Sequence, residues 1–193
     1  HLCGRPVSIK SKNLYVPPEE RGLGMVFQSF AVWPHMNIFE NVAFPLREKK
    51  VPKEEIEAKV MEMLALVALK GFEHRSVTRL SGGQQQRVGI ARAFVSNPKV
   101  IFADEPTGNL DSRTSKQVLY RMLELSKNQG VTFVMVTHEP ELANCADRIV
   151  TILDGKVQSS IVQDEATKQR NRDALFADLQ GDLAIGGDAA KEK

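Results

Sequence analysis

A continuous apolar run that ends in two acids constrains the fold of this chain more than any other feature. Residues 100–102 read Val-Ile-Phe, a pattern typical of a parallel strand that is covered on both faces. Asp104 and Glu105 follow, and Pro106 cannot continue a central strand. Because open α/β sheets bind ligands at the carboxyl ends of their strands, this pattern predicts a site where Asp104 holds Mg²⁺ and Glu105 acts on a water molecule.

A glycine-containing stretch at residues 80–87, LSGGQQQR, precedes this strand by one short predicted helix. Ser81 is a good helix N-cap, and Gly82 and Gly83 leave backbone N–H groups accessible, which favours anion binding at the N-terminus of a helix. A phosphate-binding segment beside a metal and an activated water indicates phosphoryl transfer. Each stretch also has a simpler interpretation when taken alone, since the acids fit a solvated turn and Ser-Gly-Gly fits a flexible loop.

Together and in this order, the two stretches resemble the ATPase subunits of ABC transporters. LSGGQQQR resembles the signature motif of that family, and VIFADEP resembles its Walker B strand with the catalytic glutamate. The resemblance implies an α/β fold of the P-loop NTPase type, with a mainly parallel sheet flanked by helices. The expected organisation is an ATPase domain at residues 1–160, with a helical subdomain inserted at about residues 31–98, and a C-terminal helix and tail at residues 161–193.

The resemblance also implies roles for individual residues. It makes Glu105 the group that orients or deprotonates the attacking water, and it makes His138 the residue that stabilises charge on the γ-phosphate. The signature residues of one subunit would cover the ATP bound to a second ATPase subunit in a head-to-tail dimer. The residues implied to bind ATP and Mg²⁺ as cofactors, or to contact the opposite subunit, are Gln28, Ser81, Gly82, Gly83, Gln84, Asp104 and Asp111.

The same resemblance implies that the protein couples Mg-ATP hydrolysis to substrate movement by transmembrane permease subunits, at the cytoplasmic face of the inner membrane. The segment around Trp33 then either fills the core of the helical subdomain or receives a coupling helix of the permease. A net charge of +2 without a Lys/Arg cluster gives no reason to expect a nucleic-acid partner. Cys3 and Cys145 are isolated, which is typical of structural cysteines in a reducing compartment.

The family's other phosphate loop, G-x-x-x-x-G-K-S/T, does not occur in these 193 residues. We therefore expect an N-terminally truncated sequence that, by itself, shows weak or absent ATP hydrolysis. Two alternatives remain open. The chain could be a non-catalytic partner that supplies only the signature face in trans, or a non-transport ABC ATPase that acts on DNA or ribosomes. A long insertion or basic stripe would indicate the last, and the sequence contains neither.

Two segments point to different transport groups. PPEERGLGMVFQSFAVWPHM resembles importer ATPases for ferric iron, polyamines or sugars, whereas ADEPTGNLDSRTS resembles the lipoprotein-release and macrolide-export group. Importer ATPases often carry a regulatory domain after the ATPase domain, and the short C-terminal segment here slightly favours the export-type group.

Periodicity and turn residues predict the regular elements. Helices are predicted at residues 52–68, 84–95 and 112–128, the last with Ser112 as its N-cap. Asp154-Gly155 predicts a hairpin turn between two strands. A further helix is predicted at residues 173–183, and residues 186–193 are expected to form a frayed tail.

Overall fold

The computed structural model describes Gly4 and residues 6–179, and these divide into two units between Val136 and Thr137. Short 3-10 helices occur at Lys10–Lys12, Pro18–Glu20 and Val77–Arg79 in the first unit and at Ala177–Leu179 in the second. The first unit contains strands β1 (Ser8–Ile9), β2 (Leu14–Tyr15), β3 (Leu23–Val26), β4 (Val100–Asp104) and β5 (Thr132–Val136). Its helices are α1 (Ile38–Glu48), α2 (Lys53–Leu66), α3 (Gly82–Phe94) and α4 (Ser112–Gln129).

The central element of the first unit is a parallel sheet with the strand order β3-β4-β5. Val26 lies beside Ala103, and Asp104 lies beside Val136. The three strands therefore end at the same edge of the sheet, which is where open α/β sheets place their ligands. The prediction of an α/β fold with a mainly parallel sheet flanked by helices is confirmed.

One face of this sheet packs into the helical core. Ile101 and Ala103 are buried there in one cluster with residues of α1 to α4. Side chains alternate between the faces of a strand, and on the opposite face Met25, Phe102 and Val134 are 46%, 40% and 40% exposed. The prediction that residues 100–102 are covered on both faces is thus wrong at Phe102, although Val100 on the same face of the strand is buried.

Helices α1, α2 and α3 pack on one another within the range predicted for the helical subdomain. The boundaries of that subdomain stay a prediction. The helix predicted at residues 52–68 is confirmed as α2, whose buried side consists of Ile56, Val60, Met63 and Leu64. Helix α1 was not predicted. It begins with a capping box in which Asn37 and Glu40 each bind the backbone N–H of the other.

Helix α3 begins two residues before the predicted start, at Gly82, and ends at Phe94. Helix α4 confirms the predicted helix, but its N-cap is Asp111, whose side chain accepts a hydrogen bond from the backbone of Thr114. Ser112 is the first residue of the helix, so its assignment as the cap was wrong. Gly130 ends α4 in the left-handed conformation, with φ at 63°.

The second unit contains α5 (Pro140–Ala143), β6 (Arg148–Leu153), β7 (Lys156–Val162) and α6 (Glu165–Phe176). The predicted hairpin is confirmed, because β6 and β7 pair antiparallel around Asp154 and Gly155, both with positive φ. The prediction of a helix at residues 173–183 was wrong in its start, since α6 begins at Glu165 behind the N-cap Asp164. The predicted tail at residues 186–193 lies outside the described residues.

Among the helices within the described residues, none is both long and apolar enough for a membrane crossing. Cys145 is a buried free thiol, and burial raises its pKa. This supports a structural role for it.

Candidate functional site

Two side chains meet at the carboxyl edge of the parallel sheet. Gln28 follows β3 by two residues, and Glu105 follows β4 directly. The Gln28 Nε2 donates a hydrogen bond to Glu105 Oε2 over 3.4 Å. The sequence places these residues far apart, and the parallel register of β3 and β4 brings them together.

The backbone of Glu105 adopts an uncommon conformation. Its φ is 40°, in the left-handed region that a side chain with a Cβ rarely occupies. Its backbone N–H donates to the carbonyl of Val136 over 3.0 Å, so the neighbouring strand holds the residue in this position. Backbone strain of this kind is concentrated at functional sites, where the surrounding structure imposes it.

Gly108 keeps the space around this pair open. A Cβ at this position would lie 2.7 Å from Gln28 Nε2 and 3.3 Å from Glu105 Oε2. The backbone N–H of Gly108 also donates to the carbonyl of Glu105 over 3.1 Å, which closes a tight turn after β4. A larger residue could occupy this turn only if one of the two functional side chains moved.

Asp104 ends β4 and is exposed at the same edge of the sheet. Carboxylate and amide oxygens are the ligands that Mg²⁺ prefers, and it usually binds one or two protein oxygens together with phosphates of a substrate. Within the described part of the chain, no group of three or more His, Cys, Asp or Glu side chains could hold a metal by itself. The carboxylate of Asp104 and the amide oxygen of Gln28 are oxygen donors of the kind that Mg²⁺ binds together with substrate phosphate.

The glycine-containing stretch forms the start of α3. Ser81 is the N-cap, its Oγ accepts from the backbone of Gln84 over 3.3 Å, and Gln84 Oε1 accepts from the backbone of Ser81 over 3.0 Å. Ser81 is exposed and Gly82 and Gln84 are half-buried, whereas Gly83 is buried, so only one side of the first turn is open to solvent. Helix N-termini are sites where anions bind. The side chain of Gln84 is engaged in the cap.

Gly83 has a packing role that its sequence context did not indicate. It is buried, and a Cβ there would lie 2.4 Å from the Cγ2 of Thr114 on α4. Asp111, the N-cap of α4, accepts a hydrogen bond from the Thr114 backbone over 3.0 Å. Hydrogen bonds from the Thr114 side chain and backbone lower the pKa of Asp111. Asp111 is exposed, so it can contact a second chain.

Comparison with known proteins decides the family. The family model described as ABC transporter matches residues 6–108. The chain belongs to the ABC transporter family. The solved structures agree, since this chain matches the dimeric structure of MJ0796, a bacterial ABC transporter cassette, with a TM-score of 0.64 and 39% identity, covering 72% of this chain and 62% of that one. A post-hydrolysis state of that cassette bound to ADP and Pi gives a TM-score of 0.64 at 38% identity, with the same coverage of both chains.

Among curated proteins, the chain is 51% identical over 144 residues to a spermidine/putrescine import ATP-binding protein PotA from Clostridioides difficile (strain 630), which is 74% of this chain and 42% of that protein. It is 51% identical over 153 residues to the PotA of Rubrobacter xylanophilus (strain DSM 9941), which is 79% of this chain and 40% of that protein. The chain thus spans about two fifths of the length of these relatives. They are import proteins, so they do not support the slight preference for the export-type group.

Of the other ABC residues that the sequence singled out, His138 belongs to the second unit. It is exposed in the loop after β5, where the neighbouring Glu139 N–H donates to the Oγ1 of Thr137 over 3.0 Å. Its role towards the γ-phosphate stays a prediction.

Sequence reasoning missed a buried amide beside the Walker B loop. Gln86 is 0% exposed, and its Nε2 donates to the carbonyls of Phe27 and Pro106. Asn109 contacts the neighbouring residue, because its Nδ2 donates to the carbonyl of Gln28 over 3.1 Å. The available signal was helical spacing, since Gln86 lies three residues after the buried Gly83 and four before the buried Ile90.

A separate cavity of about 780 Å³ lies near the segment around Trp33. Phe44 and Arg92 also line it, and the guanidinium of Arg92 lies 4.3 Å from the centre of the Trp33 ring. The Nη1 of Arg92 is buried and has no hydrogen-bond partner among the described residues. Burial lowers the pKa of this guanidinium. The segment around Trp33 therefore lines an open groove with an unsatisfied cationic donor, in addition to its packing role.

Proposed function

We propose that this chain carries three segments of the ATP-binding subunit of an ABC importer. They are the signature, the segment around Gln28 and the Walker B strand. In this proposal, Mg-ATP hydrolysis drives substrate movement through transmembrane permease subunits at the cytoplasmic face of the membrane. The observation that carries it is the contact of Gln28 with Glu105 over 3.4 Å at the carboxyl edge of the parallel sheet. The names of the PotA relatives, which are spermidine/putrescine import ATP-binding proteins, support import as the direction and a polyamine as the proposed cargo.

The proposed reaction is the hydrolysis of ATP to ADP and phosphate. A water oxygen bonds to the γ-phosphorus, the bond from that phosphorus to the bridging oxygen breaks, and Glu105 accepts the proton of the water. Gln28 Nε2 donates a hydrogen bond to Glu105, and this bond orients the carboxylate. The Oε1 of Gln28 would then face the metal or the water. Asp104 and Gln28 would hold Mg²⁺, which supplies positive charge beside the phosphates when bound.

The remaining predicted residues act on the phosphate or on a second subunit. His138 is proposed to stabilise charge on the γ-phosphate as the bond breaks. The first turn of α3, with exposed Ser81 at its start, is proposed to cover ATP held by a second ATPase subunit in a head-to-tail dimer, with Asp111 in contact with that subunit. The residues of this turn are Ser81, Gly82, Gly83 and Gln84. The dimeric cassette structure among the structural relatives supports this arrangement.

Replacing Glu105 tests the hydrolytic role. In the full-length protein, Glu105→Gln should retain ATP binding, because the amide keeps the shape and the hydrogen-bonding capacity of the side chain. Steady-state phosphate release should fall by about a hundredfold or more, because the amide cannot accept the proton. Binding is measured by titration with ATP, and turnover by phosphate release in the presence of Mg²⁺.

Glu57→Gln is the matched control, because it makes the same change on the exposed side of α2. Turnover in Glu105→Gln close to that of this control would remove Glu105 from its assigned role. If the unchanged protein releases no phosphate but stimulates a complete ATPase subunit when mixed with it, the chain is the non-catalytic partner that supplies the signature face in trans.

The groove beside Trp33 is the proposed docking surface for the permease. It is lined by the Trp33 and Phe44 rings, which lie 4.5 Å apart, by Arg92, and by the charged residues Glu20, Glu48 and Lys49. An apolar segment with a free carbonyl would fill this groove and satisfy Arg92 Nη1 without adding a further negative charge beside Glu20 and Glu48, since buried donors without partners are costly. We propose such a segment of the permease as the occupant.

Placing a charge in the groove tests this docking. Phe44→Glu should abolish co-purification of the permease with the full-length protein and should stop uptake of spermidine by cells that depend on it. A carboxylate desolvated against apolar side chains costs several kcal/mol, roughly enough to lose a complex of ordinary affinity. ATP binding should be retained.

Tyr15→Glu is the control, because Tyr15 is 64% exposed and does not line the groove. Permease recovery with Phe44→Glu equal to that of Tyr15→Glu would exclude this groove as the docking surface. Normal docking without spermidine uptake in the unchanged protein would reject the polyamine cargo and keep the docking surface.

A further inference from the structure

Gln86 connects the two segments that carry the Gln28–Glu105 pair. Its Nε2 donates to the carbonyl of Phe27 over 3.2 Å and to the carbonyl of Pro106. Phe27 directly precedes Gln28, and Pro106 directly follows Glu105. A single buried amide group therefore joins the backbone beside one member of the pair to the backbone beside the other.

This arrangement carries an energetic cost that packing alone does not explain. The Oε1 of Gln86 is buried and has no hydrogen-bond partner among the described residues. A buried acceptor without a partner costs about 1–3 kcal/mol, and an apolar residue of similar size on α3 would avoid this cost. Proteins retain unfavourable features such as an unpartnered buried acceptor mainly at positions where function requires them.

Gln86 also lies one turn after the start of α3, the helix whose first turn carries the signature residues. The strand ends leave the Phe27 and Pro106 carbonyls beyond the paired residues of β3 and β4. The buried amide bridges these two carbonyls, and Asn109, which is exposed, also donates to the neighbouring carbonyl of Gln28. A buried hydrogen bond holds a fixed distance better than one that water can replace.

We propose that Gln86 is a positioning residue for ATP hydrolysis, which sets the distance between Gln28 and Glu105 by holding the carbonyls beside them. The inference rests on the proposed ATPase function. Gln86 does not touch the reacting atoms. It acts through Gln28 and Glu105, so its loss should lower the rate of the chemical step and leave the affinity for ATP unchanged.

The test is Gln86→Met in the full-length protein, because methionine has the same length and removes both donors. The expected result is a fall in kcat of about tenfold or more, with the Kd for ATP changed less than twofold, since small displacements of reacting groups cost rate before affinity. The Mg²⁺ concentration for half-maximal turnover should rise, because Gln28 is a proposed ligand.

Gln129→Met is the matched control on another helix. Gln129 is the last residue of α4, and its Oε1 is also buried without a hydrogen-bond partner among the described residues. Its variant should keep kcat within twofold, because the length of α4, about 27 Å, separates it from the start of that helix beside the Walker B loop. Equal kcat values for Gln86→Met and Gln129→Met would overturn the proposal.

A double-mutant cycle with Gln28→Ala separates positioning from general packing. If Gln86 acts through Gln28, then Gln86→Met should lower kcat much less in the Gln28→Ala background than in the unchanged protein. Additive effects on kcat would refute the action through Gln28. Should Gln86→Met fold poorly, Gln86→Leu takes its place, because it removes the same donor group without adding a charge. An unchanged protein without ATPase activity would refute the proposed function itself.

Discussion

Two buried amide side chains of the first unit, Asn41 and Gln86, bind backbone groups in different ways. Asn41 on α1 donates its Nδ2 to the carbonyls of Trp33, Met36 and Asn37, and its Oδ1 accepts from the Trp33 backbone over 2.8 Å. All these partners lie within eight residues of it. Gln86 on α3 binds carbonyls that are 59 and 20 residues away, and its Oε1 stays without a partner among the described residues.

The difference in hydrogen bonding indicates a stabilising role for Asn41 and a functional role for Gln86. Asn41 satisfies its own hydrogen-bonding capacity and that of one local loop, which is the arrangement expected of a stabilising residue. Gln86 leaves an acceptor unsatisfied and connects segments that only the tertiary fold brings together. We therefore expect Asn41 to matter mainly for folding free energy and Gln86 mainly for turnover. The following predictions test that contrast.

The largest expected effect on stability comes from Asn41→Leu. The change leaves three carbonyls and one backbone N–H of the segment at residues 33–37 without their buried partner. At about 1 kcal/mol for each of the four lost hydrogen bonds, the free energy of unfolding should fall by roughly 4 kcal/mol. Denaturant unfolding of the full-length protein measures this. A loss below about 1 kcal/mol would contradict the stabilising role of Asn41.

A smaller loss is expected from Gly83→Ala, one turn before Gln86 on the same helix. The new Cβ would lie 2.4 Å from Thr114 Cγ2, so α3 and α4 must separate or Thr114 must rotate. Better helix propensity offsets part of the strain, and a net loss of about 1–2 kcal/mol in unfolding free energy is expected.

Thr114→Ser is the matched compensating change, because it removes the methyl group and keeps the backbone N–H that binds Asp111. The double variant should recover most of the stability that Gly83→Ala loses. If it recovers none, the close approach of α3 to α4 is not the reason for glycine at this position.

The smallest expected effect on stability comes from Gln86→Met, the variant with the large expected effect on kcat. Losing two hydrogen bonds at about 1 kcal/mol each is offset by removing the unpartnered Oε1, which costs a similar amount. The free energy of unfolding should therefore change by less than about 1 kcal/mol. A loss of unfolding free energy as large as that of Asn41→Leu would show that Gln86, like Asn41, acts mainly in folding stability.

Part of the fold and site could be predicted from local sequence. The acids after β4, the capped start of α3 and the Asp154-Gly155 hairpin each depend on residues within a few positions of one another. Helix α1 was missed because Pro45 argues against a helix, although the Asn37 and Glu40 capping box indicated its start. The N-cap of α4 was misplaced by one residue for a similar reason, since Asp111 and Ser112 are both good caps.

The sequence by itself determined the family, the parallel-strand architecture and the residue types available for phosphate and metal chemistry. Only the tertiary structure decided that Gln28 Nε2 contacts Glu105 Oε2, that Gly83 packs on Thr114, and that Gln86 holds the loops beside both members of the pair. The physical reason is the separation along the sequence of the residues that make each contact. Caps, turns and apolar periodicity depend on neighbours along the chain, whereas these three contacts depend on the register of β3 against β4 and on the packing of α3, which many distant residues set together.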